Sequence, residues 1–106
     1  MHTSYYASKK LNSSMNLIAI SRSVPKFMKG NITVYRPLCP PWDLISAYKE
    51  GRITDARYEH DYHANILSGL DPEMVYQALG EDAVLLCWEA PDKFCHRHIV
   101  ASWLND

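Results

Sequence analysis

The sequence has almost no excess charge of either sign: 11 Lys and Arg stand against 12 Asp and Glu, a formal net charge of −1 with histidine neutral. A chain so balanced lacks the cationic surplus that holds nucleic-acid backbones regardless of sequence, so non-specific nucleic-acid binding is not expected. It also lacks any apolar run near the roughly 20 residues a membrane helix needs. Met1–Lys10 has no apolar stretch of the kind found in a secretory signal. A cytoplasmic protein with no membrane partner is therefore the expectation. Cysteine is scarce, three residues at irregular spacing. An odd count so placed argues against a disulfide framework and for free thiols or ligands. No heptad pattern, internal repeat or low-complexity tract is present, and the oligomeric state is left open. What remains is 106 residues, 47% of them hydrophobic and 22% charged, which fits one domain over residues 1–106 with a modest core.

Proline and glycine fall between the periodic segments as punctuation. Leu17–Ile20 is a short apolar run cut off by Ser21-Arg22-Ser23, the profile of a buried strand followed by a polar loop. Thr3–Tyr6 is a weaker strand candidate. Val34–Leu38 is β-compatible and stops at Cys39-Pro40-Pro41, where proline opens a helix well because the first turn leaves its amides unpartnered in any case. That helix runs to about Lys49, with Leu44, Ile45 and Tyr48 on its apolar face and Gly51 placed for a left-handed cap. Thr54 caps a second helix in which Tyr58, Tyr62 and Ile66 recur every four residues, a stripe that reads first as core. Asp71-Pro72 opens a third helix that Gly80 ends. Ala83–Trp88 is unbroken hydrophobic sequence, as a strand covered on both sides requires. The last helix carries Ile99, Val100, Trp103 and Leu104 at helical spacing, with Cys95-His96-Arg97 in its first turn. Strands near both ends with helices between them indicate an α/β fold, a small, mostly parallel sheet flanked by helices in a three-layer, sandwich-like arrangement.

Ligands of such sheets sit beyond the carboxyl ends of the strands. That rule brings Ser21-Arg22, Cys87-Trp88-Glu89 and the opening of the last helix to one rim. The two-residue period of a strand turns Cys87 and Glu89 to one face. A helix start presents unpaired amides that favour an anion, and Arg97 there, with Arg22 across the rim, would clamp one. His96 at that start is expected to resist protonation and to suit a neutral base near pH 7. Each residue also has a plainer reading. Cys87 in an apolar strand fits the core, and Cys39 before two prolines reads as inert. Glu89 reads equally as an ion-pair partner of Arg22 or Arg97, and His60 and His98 as surface residues. A zinc site would draw on Cys87, Cys95, His96 or His98, but no Cys-x-x-Cys pair exists and consecutive helical residues diverge by about 100°. Neither metal nor cofactor is expected. A phosphatase-like loop fits poorly, since Lys93 stands where an arginine fork is needed and Ala90-Pro91 removes the loop's flexibility and one amide. A cysteine–histidine nucleophile built from Cys87 or Cys95 with His96 is geometrically open.

Leu85-Leu86-Cys87-Trp88-Glu89 followed by Phe94-Cys95-His96-Arg97-His98-Ile99-Val100-Ala101 resembles the C-terminal signature of a bacterial and phage family, domain of unknown function 488. Further matches are Thr3-Ser4-Tyr5-Tyr6, Ile18-Ala19-Ile20-Ser21-Arg22 with Pro25, Leu38-Cys39-Pro40-Pro41, and Tyr48-Lys49-Glu50-Gly51 with Tyr58 and Tyr62. The likeness spans nearly the whole chain, which reads as a minimal member without the insertions of longer ones. It implies a compact α/β fold and a shared cluster of Ser4, Arg22, Cys87, Glu89, Cys95, His96 and Arg97, but it supplies no reaction. Tyr58 and Tyr62 match as core or pocket wall.

The sequence is consistent with two functions. The first is a small pocket for an anionic ligand or nucleotide, with Cys87, Glu89, Cys95 and His96 as catalytic candidates. In it Arg22, Arg97, Ser4 and Ser21 hold the anion, and Tyr5, Tyr58 and Tyr62 form the wall. The second is a non-catalytic interaction or regulatory domain for a protein or structured nucleic acid, prompted by Trp42, Trp88, Trp103 and seven tyrosines in a short chain.

Overall fold

In the computed structural model, which describes residues 1–12, 14–28, 30, 32–89 and 93–105, the sheet is built around Ala83–Cys87. This strand, β4, is buried at every position, as its unbroken apolar sequence requires. β1 (His2–Tyr5) lies on one side of it and β2 (Asn16–Ala19) on the other, with the two-residue β3 (Thr33–Val34) outside β2. The order is β1-β4-β2-β3 and every pairing is parallel. Leu85 is in register with Thr3 and with Ile18.

Parallel neighbours need long crossovers. The connection from β3 to β4, which returns the chain to the other side of β2, holds three helices, α1 (Trp42–Lys49), α2 (Asp55–Asn65) and α3 (Pro72–Leu79), and α4 (His96–Asn105) follows β4. Their ends obey local chemistry. Thr54 Oγ1 accepts from the Arg57 amide at 3.2 Å, and the Asp71 carboxylate accepts from the Glu73 amide at 3.0 Å with Pro72 beside it. Gly80 stops α3 at φ +91°, a conformation that excludes most side chains. The β-compatible stretch expected over Val34–Leu38 is shorter than expected: Pro37 has no amide to give a ladder, and Arg36–Leu38 forms a 3₁₀ turn instead.

The two faces of the sheet are covered differently. Ile18, Ile20 and Leu85 face a cluster to which all four helices contribute, through Leu44, Tyr58, Tyr62, Val75, Leu79, Ile99 and Val100. Leu17, Ala19, Val84 and Leu86 face the other side, closed by Tyr6 and Met28 with Leu11, Val24 and Ile32. The third layer is thus made by loops and the short 3₁₀ turn Lys26–Met28 rather than by α-helices. The tyrosine stripe of α2 is core as its period indicated, and Tyr62 is fully buried with its hydroxyl donating to the Leu38 carbonyl at 2.5 Å.

Candidate functional site

Beyond the carboxyl ends of β2 and β4 lies a cleft of about 320 Å³. The Ile20 amide donates to the Leu86 carbonyl and the Tyr6 amide to the Cys87 carbonyl, so the segments leaving β1, β2 and β4 are tied together where the sheet ends. Ser21 follows directly. It accepts from the Tyr6 hydroxyl at 2.5 Å and donates to the Ser23 carbonyl at 2.7 Å, which fixes the loop. The next residue, Arg22, has its Nε donating to the Pro40 carbonyl at 2.6 Å, holding the guanidinium at the cleft wall.

Cys87 is the last residue of β4 and lies on the cleft floor. Strand alternation ends with it, and Trp88 and Glu89 both line the cleft, although a continued period of two would have separated them. The Trp88 indole donates to the Ser23 carbonyl at 3.0 Å and meets Tyr6 edge-on, while half its surface stays exposed. Arg97 lies beneath the floor, 1% exposed, and its Nη1 donates to Cys87 Sγ and to the Glu89 carbonyl, both at 2.7 Å. Burial pushes the Arg97 guanidinium below its ordinary range, with the charge of Glu89 opposing that shift. Arg97 therefore supports a sulfur and a backbone carbonyl; it is not among the residues that line the cleft, contrary to its expected place in an anion clamp.

Cys95 comes just before α4 and its carbonyl accepts the His98 amide at 3.1 Å. Its sulfur lies 3.6 Å from His96 Nδ1, and the other ring nitrogen, Nε2, is bonded to the Ile20 carbonyl. A carbonyl can only accept, so Nε2 carries the proton and Nδ1 presents its lone pair to Cys95. Burial pushes the His96 pKa down to about 4, helped by the Arg97 charge and opposed by the bond to Ile20, so the ring is neutral at pH 7. The neutrality expected from a helix start comes from desolvation.

Cys87 and Cys95 are joined in a disulfide, and Cys39 is the free, buried cysteine. Free thiols or ligands were the expectation from the odd count and irregular spacing, and the seven intervening positions give no sign of the pairing. With the pair reduced, Cys87, Cys95 and His96 form a donor set whose ligand atoms lie within 4.8 Å of one another. The angular argument against a metal does not hold here, since Cys95 stands outside the helix.

The structure brings Ser21, Arg22, Tyr58, Cys87, Glu89, Cys95 and His96 to one cleft. Besides Arg97, it leaves three expected residues outside. Ser4 is in register with Leu86 and so shares its loop-covered face, Tyr5 lies on the edge strand away from the lining, and Tyr62 is core. Ala90-Pro91-Asp92, in the expected loop after β4, lies outside the described residues. Sequence reading missed Trp42 and Tyr48 of α1 and Phe94, which wall the cleft. Tyr48, Tyr58 and Phe94 pack as an aromatic trio with ring centroids 5.2–5.4 Å apart. The signal available was the apolar face of α1, which reads as core until its neighbours are known.

No helix among the described residues is long and apolar enough to cross a membrane. No curated protein and no solved structure matches the chain. A family model, DUF488-N3a, described as the active DUF488-N3 subclade, matches residues 1–106, and the chain belongs to that family.

Proposed function

We propose that the cleft binds a small anionic compound, a nucleotide or another phosphorylated metabolite, and that Cys87 in its reduced form is the nucleophile that meets it. One observation carries this reading: Cys87 Sγ sits on the cleft floor and accepts a hydrogen bond at 2.7 Å from the buried cation of Arg97. A donor of that charge favours thiolate over thiol, and the thiolate is the reactive form. In the attack the sulfur forms a bond to the electrophilic atom of the ligand. The leaving group departs with its bonding pair and takes a proton from water.

The remaining lining fits such a ligand. With Nε held by Pro40, the two Nη groups of Arg22 are left to an anion. Trp42, Tyr48 and Trp88 offer flat apolar surfaces to a planar ring. The aromatic residues that prompted an interaction domain are divided by this arrangement: Trp42 and Trp88, 58% and 51% exposed, belong to the cleft, and Trp103 packs against the core. Their number therefore favours a ligand over a separate partner surface.

The test is a thermal-shift screen of reduced protein against nucleotides, sugar phosphates and small carboxylates, with Arg22→Ala in parallel. A ligand at 100 times its Kd adds about 2.7 kcal/mol. We expect at least one anion to raise Tm in the native chain, to lose most of that effect in Arg22→Ala, and to slow alkylation of Cys87 by iodoacetamide. A flat screen, with Cys87 alkylated at the same rate with and without every anion, overturns the reading.

A further inference from the structure

We infer that Cys95 is the resolving thiol of Cys87, and that the pair exchanges electrons with a low-molecular-weight disulfide or thiol admitted through the cleft. The inference rests on the reading of Cys87 as nucleophile and adds a second substrate class and a role for Cys95.

Four structural features converge on it. The two sulfurs are in covalent contact across the junction of β4 and α4. Both cysteines line the cleft, Cys87 2% and Cys95 6% exposed, so the cleft is the side from which a small sulfur compound approaches them. Their surroundings are unequal: Cys87 faces a guanidinium at 2.7 Å, whereas Cys95 faces the lone pair of a neutral imidazole at 3.6 Å. The first surrounding holds a thiolate and the second holds a thiol by accepting its S–H, which is the asymmetry exchange requires. Finally, His96 is locked by the Ile20 carbonyl and is a positioning residue that aims Cys95. The same three donors would suit a soft metal ion. The Arg97 charge already beside Cys87 Sγ opposes a second cation there.

The steps balance. The Cys87 thiolate attacks one sulfur of R–S–S–R, forming a mixed disulfide and releasing RS⁻, which takes a proton from water. The Cys95 thiol gives up its proton to solvent and attacks Cys87 Sγ, forming the internal disulfide and expelling a second RS⁻, which is protonated in turn. In sum, protein dithiol and R–S–S–R give protein disulfide and two RSH, and two external thiols reverse the sequence.

The experiment uses the full chain in a Cys39→Ser background, reduced with dithiothreitol, freed of it, and mixed with oxidised glutathione. Samples quenched over time are alkylated and weighed by intact-mass spectrometry. The expected result is a transient glutathione adduct, mapped to Cys87, that gives way to the internal disulfide. Cys95→Ser should stop at the Cys87 adduct, and Cys87→Ser should take up glutathione about tenfold more slowly. The transient in the unsubstituted pair is readable even if a variant fails to fold. A stable adduct with no internal disulfide overturns the inference. So does one zinc ion held per reduced chain that blocks both cysteines from glutathione. Anion protection of Cys87, measured in the same samples, separates the two claims: protection without internal disulfide leaves the cleft reading standing, and a Cys87 inert to glutathione and iodoacetamide removes both.

Discussion

Arg97 and His96 are adjacent in sequence and do opposite things with charge. Arg97 keeps a cation under the floor of the cleft, and its removal should be felt at Cys87: Arg97→Met is expected to slow iodoacetamide alkylation of reduced Cys87 at neutral pH by about tenfold, read by peptide mapping against the solvent-blocked Cys39. His96 stays neutral instead. Its pKa is pushed from 6.5 to about 4 in the folded chain, so the unfolded state binds the extra proton between these values and stability rises with pH across that window. This stability is complete above pH 6.5 and falls by about 3 kcal/mol as pH drops to 4. Urea unfolding at several pH values checks it, and the slope should flatten in His96→Gln relative to the native chain. At this scale the sequence was informative about which residues meet beyond the strand ends and poor on their direction. Cys-x-Glu and Cys-His-Arg located the cleft floor, because residues beyond parallel strand ends converge whatever the loops do. Arg97 was legible as a cation but not as a buried one, since its burial depends on how α4 packs against β4. Ser4 was misplaced for a simpler reason: its register with Leu86 fixes its face, and register is invisible before the pairing is known.

Among the elements, the helices were the most legible, because caps are local. Thr54, Asp71, Gly51 and Gly80 act on amides or carbonyls within a few residues of themselves, so their roles can be read without tertiary structure. Thr54→Ala should cost about 1 kcal/mol by loss of the bond to the Arg57 amide, measured by chemical denaturation, and Thr54→Ser should restore most of it. The strands were legible in proportion to their burial. β4, covered on both faces, announces itself by composition, whereas β3 has two exposed residues and could not be bounded. The loop-built third layer was not legible at all. Met28, Val24 and Ile32 have no common period, and an apolar residue in a loop carries no sign of the face it will close.

For the molecule as a whole, the helical cluster and the sheet meet at Tyr62, whose ring is core and whose hydroxyl satisfies the Leu38 carbonyl beside the cleft wall. Tyr62→Phe keeps the packing and leaves that carbonyl without its donor, so about 1–3 kcal/mol should be lost, seen as a lower denaturation midpoint with an unchanged slope. Burial also pushes the Tyr62 hydroxyl well above its ordinary range, which keeps it a donor throughout the pH range of such a measurement. The strand order has a further consequence, for synthesis. β1 pairs only with β4, so His2 leaves the ribosome long before its partner Val84 is made, and β2 likewise waits for Ala83. Until then the nascent chain can form helices and the small β2–β3 pairing, with β1 and one edge of the apolar β2 unpaired and open to other chains. A ribosome stalled before residue 83 would release a product able to cap α1 to α3 and unable to build its sheet.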